Sequence, residues 1–261
     1  AVRRFTHLVP MHEGEGGPKT PFFLVAGMFG NVLNLRHLAH LLGGDRPFYG
    51  LQARGLYGGA EPHRDLAEAA CDMIAEIRQV QPHGPYLLGG FSGGGLTAYD
   101  MARQLTAAGE EVGLVALLDT PLPGRHALSR RDRMEIHLQE LRRRGPAYPA
   151  RWLSDKIRHR LAARRPAVAE DVPEHAFHDT AIEAAFYEAL ARYRMAPWDG
   201  RVVLFRPALQ PEWVVGGGRM ISSERAYLAP DNGCSDWVPD VELHEMPAAH
   251  DSMVLEPNAR P

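Results

Sequence analysis

The chain has 261 residues, 45% of them apolar and 23% charged, which supports a sizeable core and argues against a disordered chain. A net charge of −3 does not suggest a general nucleic-acid binder. The two cysteines, Cys71 and Cys234, make neither a metal-ligand spacing nor a disulfide framework, so a reducing, cytoplasmic setting is expected. No apolar run reaches membrane-spanning length, and residues 1–20 lack the apolar segment of a secretory signal.

Residues 1–20, rich in Gly and charge, read as a leader or linker ahead of one domain over 21–261. The chain starts at Ala1 rather than Met, which suggests a domain cut from a longer polypeptide. Pro21 to Ala26 is a buried strand, followed by Gly27-Met28-Phe29-Gly30 and a helical stretch through Leu33, Leu38 and Leu41. Phe48 to Gln52 is a second strand. Arg64 to Gln81 is an amphipathic helix, with Leu66, Ala70, Ile74 and Ile77 at three- and four-residue spacing; it ends at Pro82, Gly84 and Pro85. Cys71 is expected in its buried face, and Cys234 in a polar loop. Tyr86 to Phe91 and Val112 to Leu118 are further strands, separated by a helix that closes at Gly109. Residues 125–196 carry helical patterns only. Arg201 to Phe205 and Val241 to Met246 restore the strand pattern. This alternation predicts an α/β fold with a mostly parallel sheet, helices on both faces, and a helical lid inserted at about 125–196.

Gly90-Phe91-Ser92-Gly93-Gly94 follows the strand Tyr86 to Phe91 and precedes a helix. This is the G-x-S-x-G context in which a tight turn exposes a serine hydroxyl. A serine becomes a nucleophile only with a base, and the base needs an orienting acid. Asp119 ends the strand Val115-Ala116-Leu117-Leu118, and a carboxylate placed straight after a buried strand needs a partner. His250 follows the last strand on a loop, last in chain order. The expected constellation is therefore Ser92, Asp119 and His250, with Asp231 and Asp236 as rival acids and His244 and Asp251 as weaker neighbours. An oxyanion hole needs two backbone N–H groups; Gly93 supplies one and the loop after the first strand the other, with Met28 chosen over Gly27.

The segments GGFSGGGLTAYDMARQL, VALLDTP, PFYGLQARG and PAAHDSMVLEP together resemble the type I thioesterase domains that end nonribosomal peptide and polyketide assembly lines, which have the α/β-hydrolase fold. The resemblance implies Ser92 as nucleophile, Asp119 as acid and His250 as base. It also implies an acyl or peptidyl chain arriving on the phosphopantetheine of a carrier protein and leaving by hydrolysis or cyclisation, with no metal or cofactor resident in the domain. Here the oxyanion loop reads Ala26-Gly27-Met28-Phe29-Gly30, without the His-Gly or Pro-Gly pair common in the family. Residues 1–20 carry no apolar dimerising leader, so a monomer of the peptide-synthetase branch is expected. The alternatives are a stand-alone editing thioesterase or esterase, and a non-catalytic docking module.

From Arg125 to Arg165 there are thirteen Arg and Lys against four acids, a net of about +9 on an otherwise acidic chain. Charge runs are commonly solvated helix faces; the functional reading is docking of an acidic carrier protein or of the pantetheine phosphate by electrostatic steering. No nucleic-acid recognition motif accompanies the run. Phe29, Met134, Tyr148, Trp152, Phe186, Tyr187 and Trp198 are candidates to line an acyl channel.

Overall fold

Short apolar runs bounded by Gly and Pro become strands here because alternate residues can be buried on opposite faces of one sheet. The computed structural model describes residues 5–12, 14, 19–122, 127–162, 180–255 and 258–259. In chain order the elements are β1 (Leu8–His12), β2 (Phe22–Val25), α1 (Arg36–Leu41), β3 (Phe48–Leu51), α2 (Leu66–Ile77), β4 (Tyr86–Phe91), α3 (Gly94–Ala107), β5 (Val112–Leu118), α4 (Arg130–Arg144), α5 (Tyr148–Ala162), α6 (Thr180–Arg192), β6 (Arg201–Pro207), β7 (Trp213–Val215), β8 (Arg219–Ile221), β9 (Tyr227–Leu228) and β10 (Asp240–Met246). Two compact units result. One comprises Ala1–Pro123, Ala176–Ala208 and Asp231–Pro261; the other comprises Gly124–His175 and Leu209–Pro230.

The first unit holds a seven-stranded sheet in the order β1-β3-β2-β4-β5-β6-β10. Every pairing is parallel except that of β1 with β3. Along β2, Phe23 and Val25 join the core that α2, α3 and α6 cover, while Leu24 joins the opposite core with Ala39 of α1. Burying each such Leu, Val or Phe contributes roughly 2 kcal/mol relative to exposure. The chain leaves β2 for β3 on one side and returns to β4 on the other. The loops after β2 and β4 therefore diverge at the carboxyl edge, where this class of sheet opens a crevice.

Strand β1 lies within residues 1–20, so part of the expected leader is an edge strand of the sheet. Leu-Val-Pro-Met-His has no alternation that would have revealed it. Residues 1–4, 13 and 15–18 of that stretch, and 123–126 and 163–179 around and within the expected lid, lie outside the described residues.

The second unit packs Leu128 and Ile136 against Trp213, Val215 and Ile221 from the antiparallel sheet β7-β8-β9. That sheet was not among the expected elements, because two- and three-residue strands are too short to show a period. The expected lid boundaries also change. Helix α6 belongs to the first unit, and residues 209–230 join α4 and α5 in the second. A small apolar core is supplemented here by buried acids. Asp132 accepts from Ser129 and Tyr227 and pairs with Arg219 at 2.6 Å. Glu140 accepts from Trp213 Nε1 at 3.0 Å and pairs with Arg144 at 2.6 Å. Cys71 is exposed, against expectation, while Cys234 opens the 3-10 segment Cys234–Asp236 and is buried; neither is in a disulfide. Among the described residues no helix is long and apolar enough to cross a membrane.

Candidate active site

Strand β4 ends at Phe91 and α3 begins at Gly94, so only Ser92 and Gly93 make the turn. Ser92 sits at φ +52°, in the left-handed region that costs a non-glycine residue about 1 kcal/mol or more. Its N–H donates to Leu118 O at 2.8 Å, which helps hold the turn. The glycines flanking this turn are required by close approach. A Cβ on Gly90 would lie 2.4 Å from the Gly94 carbonyl, and one on Gly94 would lie 2.1 Å from Ala26 O.

Asp119 directly follows β5, also left-handed at φ +46°, with its N–H bonded to Phe205 O at 2.7 Å. His250 opens a 3-10 turn, His250–Ser252, after β10. That turn is closed by the Ala249 N–H donating to Ser252 Oγ at 3.2 Å and anchored by buried Met253 and Val254. The three residues meet. His250 Nδ1 donates to Asp119 Oδ2 at 2.7 Å, and His250 Nε2 lies 3.0 Å from Ser92 Oγ. Nδ1 faces a carboxylate and must carry the proton, which leaves Nε2 free to accept one from the serine. The imidazole stacks on Phe91, ring centres 5.3 Å apart. The hydrogen bond to Asp119 raises the His250 pKa above its ordinary 6.5, against the opposing effect of burial.

Parallel pairing sets Val25 opposite Gly90, so the loop after β2 begins beside the serine turn. Neither Met28 nor Gly93 has a hydrogen-bond partner for its backbone N–H among the described residues. Gly93 is also the N-cap of α3, where the helix dipole favours negative charge. An apolar pocket of about 60 Å³ adjoins this loop, walled by Met28, Leu51, Met73, Gly94, Ile182 and Phe186 among others. Of the channel candidates only Phe186 lines it. Trp198 is core, and Met134 and Tyr187 are exposed.

The rivals are placed elsewhere. The Asp231 carboxylate accepts from Gly233 N at 3.0 Å and Ser235 N at 2.8 Å. Asp236 and Asp251 are exposed, and His244 pairs with Glu242 in β10. Asn232, which sequence reasoning did not single out, donates from Nδ2 to Asp119 Oδ1 and to Thr120 O, both at 3.3 Å.

One group of metal-ligating type lies away from this centre. His7, His63 and Asp72 have ligand atoms within 4.8 Å of one another. Two of the ring nitrogens are already engaged, His7 Nδ1 with Gln52 O and His63 Nε2 with Asp72, both at 2.9 Å. Arg54 reaches the same carboxylate at 3.2 Å, placing a cation where a metal would need none. The group ties β1 and the β3 loop to α2.

A thioesterase-domain family model matches residues 20–204. The chain belongs to the thioesterase domain family. Within it, this thioesterase-family chain is 29% identical to chondramide synthase cmdD of Chondromyces crocatus over 300 residues, covering 100% of the chain and 7% of that protein. It is 48% identical to malpinin synthetase of Mortierella alpina over 105 residues, 40% of the chain and 1% of that protein. The chain thus spans a small fraction of either synthetase. Its fold matches the crystal structure of the NocB thioesterase domain from the nocardicin cluster with a TM-score of 0.61 at 23% identity, covering 97% of this chain and 94% of that one.

Proposed function

We propose that this domain releases a finished acyl or peptidyl chain from the carrier protein of a modular synthetase, with Ser92 as nucleophile, His250 as base and Asp119 as orienting acid. In the first half-reaction His250 Nε2 takes the Ser92 proton as Oγ attacks the thioester carbonyl. The oxyanion accepts hydrogen bonds from the Gly93 and Met28 N–H groups. The C–S bond breaks, the departing sulfur takes the proton from His250, and the acyl group remains as a serine ester. In the second, His250 removes a proton from water, or from a hydroxyl or amine of the bound chain. That nucleophile attacks the ester, and Ser92 regains its proton. The substrate arrives on phosphopantetheine, and these steps need no resident metal or cofactor. The pocket beside Met28 takes an apolar group of the acyl chain.

The observation that carries the reading is the unbroken hydrogen-bond chain from Ser92 Oγ through His250 to Asp119 at the sheet's carboxyl edge. Synthetase relatives many times longer than this chain favour release from a carrier over a stand-alone editing enzyme. The basic helix α4 fits an acidic carrier protein. Glu140 engages Arg143 and Arg144, while Arg130, Arg131 and Arg142 have no ion-pair partner among the described residues. Two unpaired thiols suit a reducing cytoplasm. Ser92→Ala is expected to cut thiol release from acyl-pantetheine thioesters by at least roughly 10⁴-fold with the circular dichroism unchanged. Near-normal release would refute the assignment.

A further inference from the structure

We infer that Asn232 is a positioning residue for the Asp119–His250 pair, its side-chain amide fixing the Asp119 carboxylate so that one oxygen faces the imidazole. Asp119 offers two oxygens on a side chain that could swing about its own bond. Oδ2 takes the His250 Nδ1 proton at 2.7 Å, and Oδ1 takes the Asn232 amide at 3.3 Å. The same amide nitrogen reaches Thr120 O at 3.3 Å, so its own direction is pinned by the backbone that follows Asp119. Asn232 is presented on a rigid turn. It lies at φ +55°, Gly233 follows at φ +83°, and the Asp231 carboxylate caps the 3-10 segment Cys234–Asp236 through the Gly233 and Ser235 N–H groups. Buried Cys234 holds that segment in the core. A neutral donor suits this position. It satisfies the second oxygen without adding a cation, which would weaken the carboxylate's hold on the imidazolium.

The inference rests on the triad reading above, and the test separates the two. Rates of Ser92 labelling by a fluorophosphonate probe are measured across pH for the wild type, Asn232→Gly and Asn232→Asp. Glycine keeps the left-handed turn and removes the amide; aspartate tolerates the turn but replaces the neutral donor by a second carboxylate against Asp119 Oδ1. Asn232→Gly is expected to label about tenfold more slowly at the plateau, the loss of one hydrogen bond to a charged group, and Asn232→Asp more slowly still, because its charge repels Asp119. Their acid limbs move to higher pH, because an Asp119 stripped of its donor holds the protonated imidazole more strongly. Of the other groups around His250, Asp251 and the Phe91 ring are unchanged. Unchanged rates, or slower rates with the acid limb unmoved, would overturn the inference. A wild type that fails to label would instead overturn the triad reading beneath it.

Discussion

At the residue scale the candidate site is three side chains, two of them on backbones held where side chains rarely go. Ser92 and Asp119 both occupy the left-handed region, and the bonds from their N–H groups to neighbouring strands help maintain them there. His250 must be neutral to accept the serine proton, and Asp119 raises its pKa. Activity is therefore expected to fall with decreasing pH along a limb whose midpoint lies above the ordinary histidine value of 6.5. A kcat/KM profile checks this; a midpoint below that value would contradict it. The same shift stabilises the fold at low pH, and the contribution fades as the pH rises through the raised pKa. Gly94→Ala would drive a Cβ to 2.1 Å from Ala26 O, a backbone atom that cannot swing aside. It is expected to cost about 3 kcal/mol in urea unfolding and to abolish labelling of Ser92; a variant that is both stable and reactive would show the approach is not obligatory. Ser92, Asp119 and His250 were legible in the sequence because each ends or follows a strand in a short local pattern. Asn232 was not, since its meaning comes from a contact 113 positions away and its own surroundings read as a polar loop.

At the element scale the buried strands of the large sheet were legible from their apolar runs, as in Val115 to Leu118. Strand β1 escaped because Pro10 interrupts it, and β7 to β9 because two or three residues show no period. Helix α2 shows how a correct pattern can mislead at one position. Its buried stripe runs through Leu66, Ala69, Ala70, Met73, Ile74 and Ile77, as the spacing predicts. Cys71 follows Ala70 by one residue, turns about 100° further and emerges into solvent. In the second unit, Trp213→Phe keeps an aromatic ring but removes the donor to buried Glu140. A loss of about 1–2 kcal/mol is expected, read as a lower urea midpoint. An unchanged midpoint would mean that Arg143 and Arg144 suffice for that carboxylate.

At the scale of the whole molecule the charge is sorted. The Arg125 to Arg165 stretch is strongly positive on a chain whose net charge is −3. Part of that charge is spent internally, on Glu140 and at the carboxyl end of α4, where cations favour the helix dipole. Arg130 and Arg131, at the opposite end, make no ion pair among the described residues, though the charge of Arg131 helps lower the Asp132 pKa. Arg130→Glu with Arg131→Glu is expected to weaken binding of a cognate carrier protein about tenfold at low salt, with a smaller effect at high salt. Titration calorimetry at two ionic strengths checks this, and an unchanged affinity would reduce the basic run to a solvated face. Family and sheet class were readable from the motifs. The division into two units was not, because it depends on residues 209–230 joining a helical block that ends more than thirty positions earlier. The central claim is that Ser92 carries the acyl chain as an ester. Intact-mass spectrometry after brief exposure to a panel of acyl-pantetheine thioesters tests it most directly, with Ser92→Ala alongside. The account predicts an added acyl mass on the wild type that is absent from the variant. Thiol release from the wild type with no adduct, or an adduct that survives in Ser92→Ala, would contradict it.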